Sequence, residues 1–314
     1  AENNQSLHIP VQHHVAHVFS CMAEHDLEEP LLGVAWDGSG YGLDGTVWGG
    51  EFFHVTSESV HRVPCWRPFP LPGGDAAMSE PRRSALGLIY GVFGEAVFDR
   101  PELLKFFTSE EATILKTMLN KNLNCPMTSS CGRLFDAVAS MIGVRQTNSF
   151  EGQAAMDLEF LTQSALSESC YSVDLIEDAF ELSNFAGNKN VIKGYNLNLK
   201  YQLDEAPLVH ELLRDISEQC SLNLMASKFH NTLAESIVSV AKCVGEERVV
   251  LSGGCFQNKY LTEQTVYRLR RAGFQPYWHQ RVPPNDGGLS LGQIFAASWF
   301  EKRKEVSRVF SGTR

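Results

Sequence analysis

Apolar positions across residues 12–25 recur with a helical period, and Pro30 closes that segment. The run LLGVAW (31–36) follows, short and unbroken, as a fully buried strand requires. TVWGGEFFHV (46–55) and VHRVPCWRPF (60–69) carry further strand character and predict, with LLGVAW, a three-stranded antiparallel meander. The glycine segment Asp37-Gly38-Ser39-Gly40-Tyr41-Gly42 falls between the first two strands and is expected to be their turn.

Downstream of an LPGGD loop, Pro81 is placed to open a helix whose apolar face is Leu86, Ile89, Tyr90 and Phe93. Residues 100–245 read as mainly helical, most clearly where Met225, Phe229, Leu233, Ile237 and Val240 recur at spacings of three and four. The stretch 183–206 is punctuated by Asn and Gly and predicts an irregular loop with one edge strand. The C-terminal part predicts a strand RVVL (248–251), an SGG turn and a helix over 258–271 ended by Gly273. A strand FQPYW (274–278), a PPNDGG loop and a last helix carrying Leu291, Ile294, Phe295 and Trp299 complete the pattern. The domain reading that follows is a metal-binding helix in 1–30, a strand meander in 31–70, a mainly helical part in 71–245 and an α/β part in 246–314.

A net charge of -10 over 314 residues argues against a nucleic-acid backbone as the main partner, since counterion release needs a basic face. The short clusters Arg268/Arg270/Arg271 and Lys302/Arg303/Lys304 read as solvated helix faces. The N-terminal AENNQSLHIP has neither the basic nor the apolar region of a signal peptide, and no apolar run is long enough for a membrane span. The expectation is a cytoplasmic protein with reduced thiols. Its cysteines form no CxxC pair, and Cys21, Cys65, Cys131, Cys243 and Cys255 are expected to be small buried residues.

His13 and His17 stand four apart on the predicted first helix and share a face, whereas His14 is rotated away by about 100°. Two imidazoles so placed can hold one metal ion, and two capping or surface histidines would show the same spacing. Val15 stands where a zincin carries glutamate, which removes that reading. Asp37 and Asp286 are the candidates to complete a His/carboxylate set suited to iron, zinc or manganese. The segment Gly38-Ser39-Gly40 lacks the signature of a P-loop or a dinucleotide fingerprint, yet glycine backbone can approach an anion closely, or simply form a turn. SGGCFQN (252–258) offers a second glycine turn at a helix start, an expected anion or nucleotide seat. Asp136, in an apolar helical segment, could hold ribose hydroxyls or face solvent, and Glu151-Gly152 forms another helix start.

Together, VQHHVAHVFSCMAEH, GVAWDGSGYGLDGTVWGGEFF, SSCGRLFDAVASMIG, SFEGQAAMDLE, LSGGCFQN and PPNDGGLSLGQ resemble the C-terminal carbamoyltransferase region of the HypF family of nickel–iron hydrogenase maturation factors. More distantly, the chain is similar to TsaD and to antibiotic O-carbamoyltransferases. The resemblance spans about residues 10 to 300 and implies an α/β, actin-like ATPase (ASKHA) fold, mainly its second half, with a large helical insertion. It implies a divalent metal, iron, zinc or magnesium, on His13, His17 and Asp286, with Asp37 as a ligand found in some relatives. His14 would touch the carbamoyl group or nothing, and His14 and Asp37 are the candidate catalytic residues. Gly38, Ser39 and Gly40 would hold phosphate, Asp136 and Gly152 the ribose, and Gly253, Gly254 and Asn258 the rest of the nucleotide.

The implied reaction passes a carbamoyl group from carbamoyl adenylate, made with ATP, to the C-terminal cysteine of HypE. O-carbamoylation of a small-molecule hydroxyl, or a non-catalytic metal- and nucleotide-holding docking fragment, are the alternatives. The family's acylphosphatase, zinc-finger and YrdC-like regions have no counterpart here, nor has the first half of the fold, and the HxxxH begins at residue 13. The chain is therefore expected to be a fragment or processed product, with turnover from carbamoyl phosphate not expected of it alone.

Overall fold

A computed structural model describes residues 9–63, 65–163, 167–177, 195–197 and 201–311. The first helix, α1 (His13–His25), starts at Gln12, whose side chain accepts the Val15 N–H, and stops at Asp26 in the left-handed conformation. It is followed by β1 (Leu31–Tyr41), β2 (Val47–Val55) and β3 (Val60–Val63), the predicted antiparallel meander. Two short strands, β4 (Cys65–Trp66) and β5 (Phe69–Pro70), lead to α2 (Ala76–Ser79) and α3 (Pro81–Phe93). The helical part continues through α4 (Ser109–Asn120), a strand β6 (Met127–Thr128), α5 (Cys131–Met141) and α6 (Gln153–Thr162). Next come β7 (Asp174–Glu177), β8 (Tyr195–Leu197), β9 (Tyr201–Asp204), α7 (Ala206–Ser217) and α8 (Leu222–Val244). The chain closes with β10 (Arg248–Ser252), α9 (Lys259–Arg271), β11 (Gln275–Trp278) and α10 (Leu289–Ser311).

The main sheet runs β11-β10-β1-β2-β3-β8, so β1 lies between a parallel neighbour and an antiparallel one. Both faces of β1 are covered, which is why LLGVAW shows no polar alternation. Leu32, Val34 and Trp36 pack into the cluster shared with α3, α5 and α8, whereas Leu31 and Ala35 pack with α1 and α10. Burying a side chain of this size contributes roughly 1.5–3 kcal/mol, so the alternating faces fix the strand's register.

Three expectations need correcting. The glycine segment is not the hairpin turn: β1 runs on to Tyr41, and the turn is Gly42–Thr46, where Asp44 Oδ1 accepts the Thr46 N–H, the Thr46 hydroxyl and the Trp48 indole N–H. Within 183–206, residues 183–194 and 198–200 lie outside the described residues, and the rest holds two strands. Of these β8 is an edge strand of the main sheet, as expected, whereas β9 is the middle strand of a second sheet, β4-β9-β7. The last helix, α10, carries Leu291, Ile294, Phe295 and Trp299 as expected, with Trp299 buried beside Ala296 and Phe300 and with Leu291 and Ile294 exposed. Cys243 is exposed and Cys255 half-buried, while Cys21, Cys65 and Cys131 are buried as expected.

Candidate metal centre and nucleotide cavity

Why Asp37 leaves the strand is read from the β1–β2 register. Trp36 pairs with Gly50 and Gly40 with Trp48, so Asp37, Gly38 and Ser39 face Gly49 alone. The surplus residues bulge from the ladder, as extra residues in an antiparallel pair must. Ser130 holds the bulge in place: its hydroxyl lies 2.9 Å from the Asp37 carbonyl and 2.7 Å from that of Gly38, while its oxygen caps α5 by accepting the Arg133 N–H. The sequence signal for Ser130 was a Ser-Ser pair before a helix, an N-cap pattern not read as part of the site.

The bulge delivers Asp37 to the first turn of α1. Its Oδ2 lies 3.1 Å from His13 Nε2 and 3.3 Å from His17 Nε2, and the two imidazole nitrogens are 3.2 Å apart. Asp286 Oδ1 completes the group at 3.6 Å from His13 Nε2 and 3.5 Å from His17 Nε2. A tetrahedral cation with ligands at about 2.1 Å sets its ligand atoms roughly 3.4 Å apart, so these spacings fit one ion. Burial opposes charge on both partners, yet the hydrogen bond and attraction of Asp37 raise His13 above its ordinary value. Burial likewise disfavours the Asp37 carboxylate, but hydrogen bonds from His13 and His17 outweigh it and hold the carboxyl well below the usual range. An electron-rich, preformed set of this kind suits a divalent cation.

Asp37 also faces a cavity of about 390 Å³, whose wall includes Gly38, Ser39, Gly132, Gly152, Gly254 and Asp286. Its Oδ1 accepts the Gly38 N–H at 2.8 Å and the Gly254 N–H at 3.2 Å. Close approach requires glycine at Gly132, against backbone, and at Gly254 a side chain would displace the Asp37 carboxylate. A Cβ on Gly132 would sit 2.7 Å from Gly38 Cα, and one on Gly254 would sit 2.7 Å from Asp37 Oδ1. Asp136 lines the same cavity, nearly wholly buried rather than facing solvent, and pairs with Arg133 at 2.9 Å. Burial pushes its carboxyl up to about 6, against the pull of Arg133 and Asn148. Ligand cavities commonly run from about 300 to 1,000 Å³, so a small nucleotide-like molecule fits this size.

Other residues singled out in the sequence lie off the wall. Gly253, with φ +98°, gives its N–H to the Pro284 carbonyl at 2.9 Å. Asn258 caps α9 by accepting the Leu261 N–H at 2.8 Å, and its amide group donates to His230 Nε2 at 2.9 Å. The start of α9 is no open anion seat either, because Glu159 Oε1 takes the Lys259 and Tyr260 N–H groups. Gly40 is packed beneath His14. His14 itself is fully buried, with Nδ1 receiving the Gln12 amide at 3.1 Å and Nε2 without a hydrogen-bond partner among the described residues. Burial, then repulsion from His13, keeps it neutral. On the cavity wall, sequence reasoning missed Gly132, Arg133 and Ala155 as individual residues, whereas Cys255 and Gln257 belong to the SGGCFQN turn already singled out as a nucleotide seat.

Residues 33–293 match the family model described as the carbamoyltransferase, Kae1-like domain, second subdomain. The chain belongs to this family. It is 38% identical over 309 residues to the carbamoyltransferase HypF of Synechocystis, covering 93% of this chain and 37% of that protein. Against HypF2 of Cupriavidus necator the identity is 35%, with 92% of this chain and 36% of the relative covered. The chain thus spans little more than a third of these relatives. A crystal structure of full-length HypF in the phosphate- and nucleotide-bound form superposes with a TM-score of 0.80 at 37% identity, over 93% of this chain and 44% of that one. HypF of T. kodakarensis gives 0.73 at 28% identity, over 93% and 36%. The α/β, actin-like ATPase fold expected from the motifs is the fold of this HypF-type domain.

Proposed function

We propose that this chain carries the carbamoyl-transfer step of a HypF-type maturation protein, moving the carbamoyl group of carbamoyl adenylate to the C-terminal cysteine of HypE. The observation that carries the reading is Asp37, which touches both His13 and His17 through Oδ2 and lines the glycine-walled cavity. The four-ligand cluster and the cavity are therefore one site. A nucleotide-bound HypF among the structural relatives supports an adenylate as occupant.

In the transfer, the acceptor thiolate attacks the carbamoyl carbon, a C–S bond forms, and the bond to the phosphate oxygen breaks with release of AMP. Gly38, Gly132 and Gly254 let the phosphate-bearing part of the substrate approach backbone without side-chain interference, Ser39 adds a hydroxyl, and Asp136 and Gly152 border the ribose. Asp37 and Ser130 fix the bulge, so the wall is in place before substrate arrives. A divalent cation on His13, His17, Asp37 and Asp286 would supply Lewis-acid stabilisation of negative charge on oxygen beside the cavity. The attacking sulfur comes from the partner, and no thiol of this chain is required.

The test is to incubate the chain with carbamoyl adenylate and HypE and weigh the HypE C-terminal peptide. A mass gain of one carbamoyl group on its cysteine is expected. No gain with folded, metal-loaded chain would overturn the reading, and carbamoylation of an added alcohol instead would assign a hydroxyl acceptor.

A further inference from the structure

We infer that Glu24 and His279 are positioning residues for the cation cluster, an inference that rests on the metal assignment proposed above. Glu24 lies in the last part of α1, about two turns beyond His17. Its Oε1 accepts the backbone N–H groups of Gln280 at 3.0 Å and Arg281 at 2.6 Å. Its Oε2 faces His279 Nδ1 at 2.8 Å, and His279 Nε2 faces the Ser252 hydroxyl at 2.9 Å. A carboxylate only accepts, so His279 carries its proton on Nδ1 and Nε2 accepts from Ser252.

The elements joined in this way are those that build the site. α1 presents His13 and His17, Ser252 ends β10 just before the Gly253-Gly254 turn, and residues 279–281 open the loop that leads to Asp286. Helical geometry fixes the two histidines relative to each other. Asp286 begins a short 3-10 turn (Asp286–Gly288) capped by the Asn285 side chain, so its local conformation is set. Its place relative to α1 depends on the loop before it and on α10 after it, and its side chain is 71% exposed. The side chains of Glu24 and His279 are each only 2% exposed, and hydrogen bonds to a carboxylate are charge-assisted and stronger than neutral ones, although the donors Gln280 and Arg281 lie at the surface. These bonds give the Asp286 loop a fixed origin on the helix that carries the other ligands.

The order Ser-His-Glu has the look of a hydrolytic triad, but Ser252 is fully buried and no carbonyl carbon can reach its oxygen. The chain of hydrogen bonds holds geometry. It does not supply a nucleophile.

The experiment is a cobalt(II) titration of the whole chain followed by visible absorption, with thermal unfolding of each metal-free variant alongside. Glu24→Ala is expected to weaken cobalt binding at least about tenfold, the scale seen when outer hydrogen bonds of metal sites are lost. Glu24→Gln should stay within about threefold, because its carbonyl keeps both backbone donors. Its amide N–H then donates to His279 Nδ1, and His279 donates from Nε2 to Ser252, so the proton order simply reverses. His279→Ala carries the same expectation as Glu24→Ala and replaces it if that variant does not fold. A lower melting temperature with wild-type cobalt affinity and spectrum would show a merely structural role and overturn the proposal. Equal losses in the Ala and Gln variants would overturn it as well. If the wild type binds no cobalt, or binding survives in the His13→Ala/His17→Ala double variant, the metal assignment fails and takes this inference with it. Binding that needs His13 and His17 but ignores Glu24 overturns the positioning role alone.

Discussion

Asp37 and Gly254, 217 residues apart in sequence, meet through a 3.2 Å hydrogen bond from the Gly254 N–H to the Asp37 carboxylate. That bond makes one carboxylate serve both the histidine pair and the second glycine turn. Asp37→Asn keeps an acceptor for Gly254 but removes the negative charge and one anionic ligand atom. Cation affinity is expected to fall at least about tenfold with little loss of stability. The His13→Ala/His17→Ala double variant should lose bound metal altogether. Elemental analysis and metal titration of purified protein check both, and an unchanged metal-to-protein ratio would remove these residues from the ligand set.

Ser130→Ala should cost stability and function together. Loss of the cap of α5 is worth about 1 kcal/mol, and release of the bulge frees Asp37. Urea unfolding should report the first effect and weaker cation binding the second. Cation binding identical to wild type would mean that the bulge holds itself.

His230 sets an acid limit on the fold. It is fully buried, with Nδ1 donating to the Ala226 carbonyl at 2.8 Å, and burial pulls its value from 6.5 down to about 4. A lowered folded-state value means the unfolded chain takes the proton first. The contribution to stability is present above pH 6.5 and lost as pH falls towards 4. The full loss is on the order of 3 kcal/mol. In His230→Gln, urea-unfolding free energy should fall less steeply than wild type across that window. Parallel curves would show that His230 does not titrate there.

Thiol reactivity offers a direct map of the cavity. Cys243 is exposed, Cys255 is half-buried on the cavity wall, and Cys21, Cys65, Cys125 and Cys131 are buried. Under native conditions an aromatic disulfide reagent should modify Cys243 first and Cys255 more slowly. AMP should slow the modification of Cys255 and leave Cys243 unchanged. Peptide mass mapping distinguishes the two, and equal protection of both would place the nucleotide elsewhere.

Local chemistry made much of this protein readable in advance. α1, α3, α8 and α9 were legible because helical period, Pro81 and the closing Gly273 act within a few residues of chain. The shared face of His13 and His17 follows from helix geometry alone. The glycine segment was misread as a turn for an equally clear reason: a bulge in β1 depends on which residues of β2 lie opposite, and pairing register is not written in either strand by itself.

The sequence by itself thus determined the helices, the buried central strand and the kinds of ligand available, since propensity, period and donor chemistry are local properties. Tertiary structure decided which of them meet. It brought Asp37 and Asp286 to the histidines, put Gly132 against Gly38, and withdrew Gly253 and Asn258 into turn and cap. It also enclosed His14 behind Gly40 and Trp48. Those outcomes depend on packing and hydrogen bonds between segments far apart in the chain, where each donor takes the partner that folding places within reach.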